Sequence, residues 1–195
     1  MFRKLALVSL ALLGISACRQ IEKLTGAPLH LDNAEAAARY LDIACPANLE
    51  GERLAEERQA KGKQVEAGTM TIQAWGKYSD AHLLAMASRD FRSAQAKTDP
   101  RFIWPESVRN LVAEMSAAEV EAVSARRVFV RNGGYTAASK KEGPWPDAPG
   151  QEANQRVADK ASAIRAALRL PPRSEGCKNG KRSLTLEQIK KLQGA

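Results

Sequence analysis

The sequence predicts an all-α fold, a bundle of about five helices joined by long loops. Three observations carry that expectation. Apolar residues recur at the three- and four-residue spacing of helices, segment after segment. Two of the segments open on capping boxes. Alanine is abundant while aromatics make up only 5% of the chain, a composition that favours closely packed helices. No convincing strand or internal repeat is present.

The first helix begins at Asp32, with Glu35 three residues on as its capping partner. Ala34, Ala37, Ala38, Leu41 and Cys45 follow on one stripe, so Cys45 faces the core side. Pro46 is expected to end this helix, because proline restricts the residue before it. Residues 49–66 are helix-prone but mostly charged, with only Leu49, Leu54, Ala55 and Val65 as anchors. That pattern predicts an exposed helix with i,i+4 pairs such as Glu57–Lys61, weakened by Gly62 and Gly68.

A longer helix is predicted over 71–97. Ile72, Trp75, Ser79, His82, Leu83, Met86 and Asp90 share a stripe. His82 invites a reading as a ligand or base. It has no companion at metal-ligand spacing, and its place on an amphipathic stripe favours packing. After the break at 99–105, a helix runs to about Arg131 with Val108, Leu111, Val112, Met115, Ala118, Ala122, Ala125 and Phe129 at helical spacing, and Asn132-Gly133-Gly134 stops it. Arg126, Arg127 and Arg131 cluster near its C-terminus, where the helix dipole favours cations. Dipole compensation is preferred to an anion site there, and the three arginines stand as candidate contact residues.

Residues 135–150 read as a loop. Trp145 lies in it between Pro144 and Pro146, either as an exposed recognition residue or as a plug for the core. Another helix is expected over 151–170, with Val157, Ala161, Ile164 and Leu168 on one stripe and Pro171-Pro172 ending it. A loop carrying Cys177 leads to a short basic helix that opens on a capping box of Thr185 and Gln188.

The chain is basic, with a formal charge of +8, and its C-terminal part holds Arg173, Lys178, Lys181, Arg182, Lys190 and Lys191 against Glu175 and Glu187. Such a tail suits anionic headgroups or an acidic polymer. A solvated basic surface is the plainer reading.

The first 17 residues have the layout of a signal peptide. Arg3 and Lys4 are followed by an apolar run from Leu5 to Leu13, and then by small residues. The run is too short for a spanning helix, which needs about 20 apolar residues. Ile15-Ser16-Ala17-Cys18 resembles the lipobox of bacterial lipoproteins. The resemblance covers only the first 18 residues. It implies cleavage after Ala17, a diacylglyceryl group on the sulfur of Cys18, and acylation of the new amine by a fatty acid such as palmitate. It also implies an extracytoplasmic, lipid-anchored location at the cell membrane or outer membrane. Arg19, where an aspartate would resemble an inner-membrane retention signal, leans to the outer membrane. Residues 18–31 would then be a lipidated tether and 32–195 one helical domain. With Cys18 lipidated, Cys45 and Cys177 are left as a pair, for which an oxidising compartment favours a disulfide over two free thiols.

Reaction machinery is sparse. The chain has two histidines and no GxSxG, HExxH, Walker A or EF-hand pattern. No cofactor or metal is expected, and export argues against nucleic acid. The favoured expectation is a non-catalytic envelope lipoprotein that binds or positions another envelope component. The alternatives are an enzyme acting on envelope glycans through acids such as Glu114 or Glu119, and a helical module binding a small ligand or metal.

Overall fold

The computed structural model describes residues 27–141 and 143–194, so Cys18 and the lipobox lie outside the described residues. The predicted helical bundle is observed. Among the described residues, five helices of eight residues or more carry it: α1 (Asn33–Glu66), α2 (Ile72–Lys97), α3 (Glu106–Arg131), α5 (Gln151–Ala167) and α7 (Leu186–Gln193). Two short helices, α4 (Gly134–Ala138) and α6 (Arg173–Gly176), fill connections.

α1 opens on the predicted box. The backbone N–H of Glu35 donates to Asp32 Oδ1 at 2.8 Å, and that of Asp32 to Glu35 Oε2 at 3.0 Å. The expected stop at Pro46 does not occur, and the two predicted segments form one helix of 34 residues. An interior proline costs about 3 kcal/mol by removing a donor and crowding the carbonyl four residues back. Here Pro46 and Asp42, whose carbonyl it frees, are both exposed, so water can solvate that carbonyl. Buried residues on either side hold both halves in the fold, Leu41, Ile43 and Cys45 in the main core before the proline and Leu54 beside α2 after it. Burial of a side chain that size contributes about 1.5–3 kcal/mol, so several offset the proline.

α2 starts at Thr71, whose side chain accepts from the Ala74 N–H. It packs on α1 and α3, and α5 packs on α3. The link between α2 and α3 contains β2 (Phe102–Ile103), which pairs in parallel with β1 (Leu29–His30). No strand was expected here, because two residues are too few to show alternation. The Leu29 and Leu31 N–H groups donate to Arg101 and Ile103 carbonyls at 2.8 and 3.0 Å. Trp104 is buried beside them, its indole donating to the Lys97 carbonyl at 2.8 Å. The core lies between α1, α3, α5 and α7, around Tyr40, Leu41, Val108, Val112, Ile164 and Ile189.

The expected loop after α3 instead begins with α4. The Asp80 carboxylate on α2 accepts from the Tyr135 and Thr136 N–H groups at 2.8 and 2.9 Å, binding the free end of that helix. Two glycines make room. A Cβ on Gly134 would sit 2.2 Å from Asp80 Oδ1, and one on Gly76 would sit 2.7 Å from the Tyr135 carbonyl oxygen. Gly134 also has φ +54°, a conformation that favours glycine.

The C-terminal part returns to α1. A hairpin of β3 (Cys177–Lys178) and β4 (Lys181–Arg182) brings Cys177 to Cys45, and the two form a disulfide with Cα atoms 5.4 Å apart. α7 carries its predicted capping box and buries Ile189, and Gln193 donates to the Asn33 carbonyl at 3.2 Å. Among the described residues, no helix is long and apolar enough to cross a membrane.

Candidate functional site: an aromatic groove above a buried ion network

Charged side chains fill the seam between α2 and α3. Lys97 donates to Glu119 Oε1 at 2.6 Å, and Ser93 donates to the same oxygen at 3.0 Å. Arg126 pairs with Asp90 through one guanidinium nitrogen and donates to Asn154 Oδ1 at 2.6 Å through the other. Arg126, Lys97 and Glu119 are only 1, 2 and 3% exposed. Burial lowers the Lys97 pKa and raises that of Glu119, and in each case the partner opposes the shift. A second cation reaches Asp90: Arg89 Nε donates to Oδ1 at 2.8 Å. Two guanidiniums therefore share one carboxylate.

Arg89 also forms the wall of a groove between α1 and α2, of about 470 Å³. Leu54, Ala55 and Arg58 line it from α1, and Trp75, His82 and Met86 from α2. Gly51 on α1 leaves the room that the Arg89 guanidinium takes, since a Cβ there would lie 2.3 Å from Nη1. Trp75, Tyr78 and His82 form an aromatic row along α2, with ring centroids 5.5 and then 6.0 Å apart. His82 is 7% exposed, and its Nδ1 and the Tyr78 hydroxyl are buried without a hydrogen-bond partner. Burial first, and then the Arg58 charge, lower the His82 pKa and favour the neutral ring. No carboxylate lines the groove among the described residues, and no group of His, Cys, Asp and Glu there could hold a metal ion. The surface offers aromatic and aliphatic faces, a neutral imidazole and guanidinium donors, which suits binding.

The structure separates the residues singled out in the sequence. Arg126, a candidate contact, is buried and held by Asp90 and Asn154, which removes it from the surface. Its charge is met by a carboxylate rather than left to the helix dipole. Arg127 is exposed and lies over the Phe91 ring at 5.4 Å, and Arg131 is exposed. Trp145 has features of both readings. It packs on Tyr135 at 5.3 Å, which meets Phe129 edge-on, yet is 38% exposed. Glu119 is buried against Lys97, whereas Glu114 is exposed and paired with Lys160. In the basic tail, Arg173 pairs with Glu52 at 2.7 Å and Arg182 with Asp42 at 2.9 Å.

Sequence reasoning placed His82 and Trp75 on one stripe but did not find the groove, whose other wall is 20 residues or so away in the chain. It missed Lys97, Ser93, Asn154 and the cap at Asp80. One signal was available: Asp90 sits on the apolar stripe, and a charge facing a core requires a partner. Compared with family models, curated proteins and solved structures, the chain matches none.

Proposed function

We propose that this chain is a bacterial envelope lipoprotein, cut before Cys18 and lipidated there, whose helical domain binds another envelope component rather than transforming it. The Cys45–Cys177 disulfide carries the reading. Such bonds persist in oxidising compartments outside the cytoplasm. The signal layout and the Ile15-Ser16-Ala17-Cys18 motif independently imply that same location. The groove between α1 and α2 and the exposed Trp145, Arg127 and Arg131 supply surface for binding. Arg19 favours the outer membrane.

The test is metabolic labelling with palmitate, combined with fractionation of wild-type and Cys18→Ala cells. Label on the wild type alone, with the variant lost from the membrane fraction or held at precursor size, supports the reading. An unlabelled wild type, or a variant that stays membrane-bound at the mature size, overturns it. Crosslinking in cells followed by mass spectrometry then identifies the bound component, with Cys18→Ala as the unanchored control.

A further inference from the structure

Charge in and below the α1–α2 groove does not balance. Arg89 and Arg126 both contact Asp90, which can neutralise only one of them. The other end of Arg126 is held by Asn154, which is uncharged. Arg58 adds a third cation at the rim and has no ion pair among the described residues. Glu57, its neighbour, lies 3.7 Å from Arg53. Arg126 is buried and Arg89 half-buried, and charge held there attracts a counter-ion more strongly than the same charge in bulk water, with the exposed Arg58 adding to it at the rim.

His82 points the same way by geometry. It lines the groove, yet its Nδ1 has no partner, and no hydrogen bond to its Nε2 is made by any described residue. Nδ1 is closed off from solvent, whereas Nε2 is not, so Nε2 is the ring nitrogen left free to meet a ligand in the groove. Beside it, Trp75, Leu54 and Met86 present an aromatic and aliphatic surface that a charged ligand alone would not use.

We propose that this groove is a binding site for a small organic anion with a flat or apolar body. The body lies against Trp75, Leu54 and Met86, and the carboxylate or similar group lies between Arg58 and His82. The groove, of about 470 Å³, falls within the range of small-molecule sites. This inference rests on the reading that the domain binds rather than catalyses, but not on the lipid anchor.

The probe is 4-phenylbutyrate, with the uncharged 4-phenylbutyramide as its partner. Both are titrated into the intact chain as recovered from expressing cells, in detergent where it partitions there, and the Trp75 indole N–H is followed by NMR. Saturable one-to-one binding of the acid is expected, with the amide weaker by about tenfold or more, as the loss of a charge-assisted contact implies. Arg58→Glu should weaken the acid by at least about as much and leave the amide unchanged. Arg58 is exposed, so the variant should fold, and circular dichroism checks this. Lys63→Glu, on the same helix away from the groove, should change nothing. No saturable shift at millimolar acid, equal binding of acid and amide, or equal effects of the two charge reversals would overturn the proposal. A chain that lacks lipid on Cys18 and still passes these tests keeps the site and loses only the anchor.

Discussion

Lys97 on α2 and Glu119 on α3 meet at 2.6 Å, and the Asp90–Arg126 pair lies seven residues away along each helix with the signs exchanged. The helices run antiparallel at this seam, so sliding one past the other by seven residues would set Asp90 against Glu119. The two buried pairs thus specify the register as well as filling the seam. Removing one partner from such a pair typically costs about 3–5 kcal/mol, whereas replacing both by apolar residues is near neutral or stabilising. Lys97→Ala should therefore lower unfolding free energy strongly, and Lys97→Met with Glu119→Leu should recover most of it. Urea unfolding checks this, and a double variant as weak as the single would refute the account.

The disulfide closes a long span, with its cysteines 132 residues apart in sequence. Losing a native bridge typically costs about 2–5 kcal/mol. Cys45→Ser with Cys177→Ser should lower stability within that range. Limited proteolysis should then cut first in the β3–β4 hairpin, where Lys178, Asn179 and Lys181 are exposed. Unchanged stability on reduction would show that the packing of α7 and the pairs of Arg173 with Glu52 and Arg182 with Asp42 hold the C-terminal part in place without the bond.

Acid should weaken the fold at His82. Its pKa is lowered in the folded state by burial and by Arg58, Arg126 and Arg89, with Glu57 opposing them. The unfolded chain then takes up the proton more readily, so stability falls as pH drops below the ordinary imidazole value of about 6.5, down to the folded value. His82→Gln should flatten that part of the stability profile. A ring titration by NMR with its midpoint at or above the ordinary value would contradict this.

Two helical glycines should respond in opposite directions. Gly62 on α1 has nothing within 4 Å of a would-be Cβ, so Gly62→Ala should stabilise by about 0.5–1 kcal/mol. Gly76 on α2 meets the α4 backbone, so Gly76→Ala should destabilise by about 1–3 kcal/mol. Melting temperatures decide it, and a gain at Gly76 would mean that α4 moves aside freely.

What the sequence revealed depended on how local the cause was. Asp32 with Glu35 and Thr185 with Gln188 are contacts within one helical turn, and both boxes form as expected. The helix over 72–97 followed from a stripe spanning its whole length. Pro46 misled because its cost is local while the compensation, burial on both sides, comes from elsewhere in the fold. The β1–β2 pair joins residues far apart in the chain and leaves no pattern in either. The groove shares that difficulty: Arg58 and His82 face each other only because α1 continues past Pro46 and runs beside α2.

The bond from Gln193 to the Asn33 carbonyl brings the end of α7 to the start of α1. Mechanically, a pull on the segment before Leu29 is not borne by α1 alone. Two backbone hydrogen bonds pass part of it to the α2–α3 link, α7 takes a share at the root of α1, and the covalent tie at Cys45 passes the remainder to the hairpin. Tension at that end is thus divided among three parallel attachments, and α2, which forms one wall of the groove, is coupled to the first of them.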